Sequence, residues 1–230
     1  FQNFRYLIYK MNKISIRFFA LLILFSFIKI DDINARVLKF KEEFYQLYHI
    51  HYQQFPDDCI QNIYWLEQAV RADFCNPLYA MAKITTEDQY EKYRYLFMMH
   101  LNLKLIEQHL RLGRIYDKKA LYFYDAPWKD EYKNNLLKTK SCYEAGYYYW
   151  KEANLWAEKA NIGKFRYLFI QELQNFEDER ERIGTGELDY KKILDRELKR
   201  VNKILSEIEE LEKNEEFENK KSIENIEQNQ

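Results

Sequence analysis

Five glycines and three prolines in 230 residues leave this chain almost without the residues that turn a backbone sharply. A sandwich or barrel needs a tight turn roughly every 8–12 residues, so this scarcity argues against most β architectures. Helices remain, because their interiors reject both residues and their connections are few. Hydrophobic residues make up 47% and charged residues 32%, enough for a core and a solvated surface. The prediction is an all-α fold of antiparallel helical hairpins.

A formal net charge of −1 removes the electrostatic case for a nucleic-acid partner. The charge is uneven, because Glu207 to Gln230 hold nine Glu against three Lys. That composition predicts an acidic disordered tail over 214–230.

The N-terminal residues read as an address. From Met11, Lys13 and Arg17 form a basic segment, Phe18 to Ile28 an apolar one, and Ala35 offers a small residue for cleavage. Residues 1–10 then read as translated upstream sequence and 11–35 as a signal peptide. The apolar run is shorter than the roughly 20 residues of a spanning helix. Export to the periplasm is the expectation, with an uncleaved membrane anchor as the alternative.

Helical periodicity organises the rest. Val37 to Phe55 forms a first helix with Phe40, Phe44, Leu47 and His51 on one face. Pro56 stops it, and Asp57 is placed to cap the next, where Ile60, Ile63, Glu67 and Val70 share a side. Asn76 and Pro77 start a short helix. Thr86 and Gln89 make a capping box that opens a long helix ending at Gly113. Further helices are expected over 129–160, 164–183 and 187–213. Residues 36–186 read as a helical array domain. "LRLGRIY" (110–116) and "YEAGYYYWKEANLWAEKA" (143–160) look like degenerate tetratricopeptide-type helices. In 142–160, Cys142, Ala145, Tyr149, Ala153, Trp156 and Ala160 form a stripe for burial, leaving Tyr147, Trp150 and Asn154 on a side that can meet a partner. The last helix is coiled-coil-like: Leu194, Leu198, Val201, Leu205 and Ile208 make a seam that pairs within the chain or with another.

The search for chemistry is brief. His49 and His51, and likewise His100 and His109, fall on different sides of a helix, so neither pair holds a metal alone. Cys59 and Cys75 can close a short loop, or all three cysteines are buried small hydrophobes. Lys138 and Lys140 near Cys142 could lower a thiol pKa, but no histidine is adjacent. Glu177, Asp178, Glu179, Glu181 and Glu187 invite comparison with the paired carboxylates of glycosidases. Arg180 and Arg182 interleave with them, as on a solvated helix face. No cofactor, metal or small-molecule substrate is expected. Tyr124, Trp128, Trp150, Leu198, Val201 and Leu205 are the candidate partner-binding residues, since exposed aromatic rings anchor interfaces.

The runs "NPLYAMAKI" (76–84), "YEKYRYLFMMHLNLKLIEQHLRLGRIYDKKALYFYDAPW" (90–128) and "FEDERERIGTGELDYKKILDREL" (176–198) resemble a family of exported helical proteins of spirochaetes, which belong to the collar around the periplasmic flagellar motor. The likeness runs from about Tyr64 to Arg200. It implies a non-enzymatic scaffold that meets other collar and stator proteins and supports motor assembly and motility. The alternative is a periplasmic glycan-binding protein or peptidoglycan hydrolase.

Overall fold

The computed structural model describes residues 37–120, 129–165 and 167–227. The expected leader and upstream residues (1–35), with Tyr124 and Trp128, lie outside them. Six helices follow in order: α1 (Lys41–Gln54), α2 (Cys59–Arg71), α3 (Glu87–Ala120), α4 (Lys129–Ala160), α5 (Gln174–Gly184) and α6 (Tyr190–Glu227). Single 3-10 turns lie at Pro77–Tyr79, Gly163–Phe165 and Gln171–Leu173. The fold is all-α. Among the described residues the β structure is one isolated bridge, Phe40 to Asp73.

Helix α3 is the axis. Every residue from Leu96 to Leu103 is buried, as expected of a helix with neighbours on all sides. α4 runs antiparallel to it: Thr139 Oγ1 donates to the Gly113 carbonyl (3.3 Å), Tyr149 stacks on His109, and Trp156 meets Tyr95. The α1–α2 hairpin packs on α3 through Tyr45 against Phe97, ring centroids 5.3 Å apart. α5 brings Phe176 to Phe97. α6 lies along α4, where Lys133 pairs with Glu212 (2.7 Å), and reaches α3 through side chains, Tyr190 Oη donating to Glu107 (3.2 Å) and Arg200 pairing with Asp117.

Tertiary contacts moved several expected boundaries. α1 begins at Lys41 instead of Val37, because the Lys41 N–H is taken by the Asp73 carbonyl (2.8 Å). Its inward face is Lys41, Tyr45, Tyr48 and Tyr52, joined by the expected Phe44, while Phe40, Leu47 and His51 are not part of the core. Tyrosine is the cause: Tyr45 and Tyr52 find polar partners for their hydroxyls while the rings pack. Asp58, not Asp57, caps α2, accepting from the Gln61 N–H (3.1 Å). Asp57 instead meets Arg111 (3.2 Å). In α2, Cys59, Asn62, Leu66 and Ala69 turn inward together with the expected Ile63, Val70 packs against the core, and Ile60 is exposed. The Thr86–Gln89 box is present in both directions, at 3.2 and 3.3 Å.

Gly113 does not end α3, which continues to Ala120. A Cβ there would lie 2.4 Å from Tyr143 Cε1, so the glycine admits a ring from α4. Gly146 plays the same part for α6, where a Cβ would lie 2.9 Å from Leu194 Cδ2. The helix expected over 164–183 is broken before Gln174. Lys92 reaches in from α3 and donates to the carbonyls of Phe165 (3.2 Å) and Leu168 (2.6 Å). The chain leaves α5 through Gly186 at φ 75°, a conformation that favours glycine.

α6 extends past the expected end at 213 to Glu227. Residues 214–227 contain neither glycine nor proline, so the composition read as a disordered tail is equally that of a solvated helix. The seam question has an answer within the chain: Leu194, Val201, Leu205 and Ile208 are buried in its own core.

Candidate functional site

Polar groups buried in helical cores must find partners, and those pairings decide what chemistry is left over. His100 sits mid-α3, stacked on Phe176 with ring centroids 4.1 Å apart. Its Nδ1 lies 2.6 Å from Glu179 Oε2 and its Nε2 2.8 Å from Tyr45 Oη. With Nδ1–H donating to Glu179, Nε2 accepts from the Tyr45 hydroxyl. An acid–imidazole–hydroxyl chain has the connectivity of a proton relay. The hydroxyl, however, is a phenol that burial, then Glu179 and Glu107, push up to about 12. An activated nucleophile needs the opposite shift. The chain therefore ties α1, α3 and α5 together.

Three further buried charges hold backbone. Glu42 accepts from Tyr93 Oη (2.8 Å) and from the Cys75 N–H (3.1 Å). Lys41 donates to the carbonyls of Ala69 (3.2 Å) and Val70 in the last turn of α2, where a cation complements the helix dipole. Burial holds its ammonium down to about 8. Lys92, besides its two carbonyls, pairs with Glu177, whose other oxygen accepts from Arg180 Nε (2.8 Å).

The Lys92 contacts shape a cleft. The end of α4, the 161–170 crossing and α5 enclose a cavity of about 590 Å³ with Lys92, Phe165 and Glu177 in its walls. A smaller lobe of about 250 Å³ shares Asn161, Arg180 and Gly184 with it. Where they join, Arg180 Nη1 donates to Asn161 Oδ1 (2.9 Å). Tyr167 and Phe169 line the larger lobe and are 88% and 66% exposed.

The expected site residues do not converge. Trp150 is half-buried, edge-on to Tyr190 at 5.8 Å, and Leu198 is half-buried against the core. Val201 and Leu205 are buried within the chain, so they offer no seam to a partner. Tyr147 hydrogen-bonds Asp195, so the second side of the 142–160 stretch faces α6. The first side is the expected stripe, with Cys142, Ala153 and Ala160 buried.

Cys59, Cys75 and Cys142 are buried free thiols, which resolves the cysteine alternatives against a disulfide. Burial pushes Cys142 up to about 11. The lysines expected to lower it are engaged elsewhere: Lys138 lies over the Tyr116 ring and Lys140 is 3.9 Å from Glu144. The histidines each turn to a different neighbour, with His49 on Gln53, His51 on Asn62 and His109 on Tyr149. Among the acidic residues of α5 and the turn after it, Arg180 pairs with Glu177 and Arg182 with Glu187 (3.4 Å), the interleaving read from the sequence. The cleft was missed, because its rings Tyr167 and Phe169 fall in a stretch read as continuous helix. Among the described residues no helix is long and apolar enough to cross a membrane.

No curated protein and no solved structure matches the chain. The profile of a domain of unknown function, DUF8513, matches residues 88–211, from the first turn of α3 through the packed part of α6. That is more than half of the chain, and the protein belongs to the DUF8513 family.

Proposed function

We propose that the protein is a non-enzymatic structural subunit of a periplasmic assembly, the collar of the flagellar motor, acting through contacts with other collar and stator proteins. The observation that carries this reading is how its side chains are divided. Inside, His100, Glu179, Lys92, Glu177 and Glu42 are committed to holding helices and backbone together. Outside, large apolar side chains face solvent, among them Leu78 (85% exposed), Tyr79 and Tyr148. Such residues are the usual anchors of protein interfaces.

The likeness of residues 64–200 to exported spirochaete collar proteins, and the export pattern at Met11–Ala35, support the periplasmic part of the reading. The glycine-to-ring contact of Gly113 with Tyr143 and the close approach of Gly146 to Leu194 favour a tetratricopeptide-like array. Photo-crosslinkers placed at Tyr79 and Tyr148 in living cells test it. Capture of flagellar-motor proteins is the expected result. Recovery of cell-wall fragments without motor proteins rejects the scaffold.

A further inference from the structure

We propose that the cleft between the end of α4 and α5 is a binding site for a neutral oligosaccharide. Its walls carry polar, planar groups: Asn161, Gln174 and Glu181 line the larger lobe and Asn154 and Asn161 the smaller, with Asn154 Nδ2 held by the Trp150 carbonyl (2.7 Å), Gln174 Nε2 by Asp178 (2.8 Å) and Asn161 Oδ1 by Arg180 (2.9 Å). Planar amides and carboxylates carry two acceptor or donor atoms each, a spacing suited to neighbouring sugar hydroxyls. Tyr167 and Phe169 add exposed ring faces, against which the C–H faces of a pyranose pack. An apolar helix laid in the same cleft would strip water from those amides and carboxylates without replacing their hydrogen bonds.

The rim is organised before any ligand arrives. Lys92 grips the carbonyls of Phe165 and Leu168. Phe165 and Ile170 are buried at the two ends of the ring-bearing segment. Tyr167 and Phe169 lie between these two buried residues in sequence and are themselves exposed. Ala157, Ala160 and Gly184 line the two lobes with small side chains, leaving room for a chain longer than one sugar. The larger cavity, about 590 Å³, lies within the usual range of small-molecule sites.

Charge selects the class of sugar. Among the described lining residues, Lys92 and Arg180 both pair with Glu177, and Glu158 and Glu181 are the remaining charged side chains. An acidic glycan or a phosphate would meet an excess of carboxylate, and a neutral chain would not. Glu177 has both oxygens engaged by Lys92 and Arg180, so it shapes the wall of the site and is not itself free to act on a sugar. The cleft would serve a collar subunit and an independent binder alike, so its test stands apart from that of the assembly role.

The full chain is titrated with chitotetraose, maltotetraose and tetragalacturonate, followed by calorimetry and saturation-transfer NMR. One of the neutral tetrasaccharides should bind with a Kd of about 1 mM or tighter, and the acidic one more weakly. Replacing both rings, Tyr167→Ala with Phe169→Ala, should weaken binding by about tenfold or more, whereas Tyr167→Phe should preserve it. Both side chains are exposed, so the melting temperature should not change. Failure of both neutral tetrasaccharides to saturate at about 10 mM overturns the proposal. So does an unchanged Kd in the double variant, or capture of a polypeptide by the two rings while sugars are ignored.

Discussion

At the scale of single residues, two glycines in α-helices behave oppositely. Gly113→Ala gains about 1 kcal/mol of helix propensity, but its Cβ would lie 2.4 Å from the Tyr143 ring. Overpacking of that kind costs about 1–3 kcal/mol, so the melting temperature should fall. Gly184→Ala meets nothing within 4 Å and should be neutral or stabilising by up to about 1 kcal/mol. Thermal denaturation followed by circular dichroism compares the two. Gly113 was legible as a special position but not as a contact, since its partner lies in another helix. Tyrosines were the least legible residues, because a phenol is at home inside or outside a core and its hydroxyl partner is not written nearby.

Those tyrosines also set the response to pH. Burial first, with nearby carboxylates for the phenol, pushes Tyr143 up to about 12, and burial with Glu42 pushes Cys75 up to about 12. Tyr48, Tyr93, Tyr149 and Tyr190 move in the same direction, also chiefly by burial. Each stays protonated in the fold after the unfolded chain has released its proton, so its contribution is complete below about pH 9 and is lost above. Lys41 acts the other way. Held down to about 8 by burial, it binds fewer protons than the unfolded chain between there and its ordinary value of 10.5, where stability gains with pH. One ammonium is outweighed by several phenols and thiols. The melting temperature should change little up to about pH 9 and fall steeply above about pH 10. Tyrosinate absorbance from the full set of tyrosines, the buried ones included, reached near pH 10 with helicity intact would contradict this account.

At the scale of elements, helices with regular periodicity were readable and the irregular crossing was not. The α6 seam was placed correctly because Leu194, Leu198, Val201, Leu205 and Ile208 repeat at four and three residues, and all are buried but the half-buried Leu198. Its partner was not readable, since α4 offers small residues and tyrosines in place of a matching stripe. Leu194→Ala should cost about 2–5 kcal/mol, whereas Leu211→Ala, at a position 41% exposed, should stay within about 0.5 kcal/mol. Urea unfolding measures both. The 161–173 crossing depends on Lys92, a residue some seventy positions away in sequence, so no local pattern could announce it. Lys92→Met removes one partner of a buried pair and leaves Glu177 and two carbonyls with fewer contacts. The expected loss is about 3–5 kcal/mol, with faster amide exchange over 165–170 than elsewhere.

At the scale of the whole molecule, the family match and the packing coincide. Residues 88–211 hold α3, α4, α5 and the packed part of α6, the helices around which the remainder is arranged. The all-α fold followed from the lack of turn formers. The cleft did not, because it exists only where α3, α4 and α5 meet. The central claim is that the protein builds a periplasmic structure by contact. Electron cryotomography of flagellar motors in cells with and without the gene tests it most directly. Loss of collar density with an unchanged cell wall is the predicted result. Intact collars and full motility in the deletion strain would contradict it.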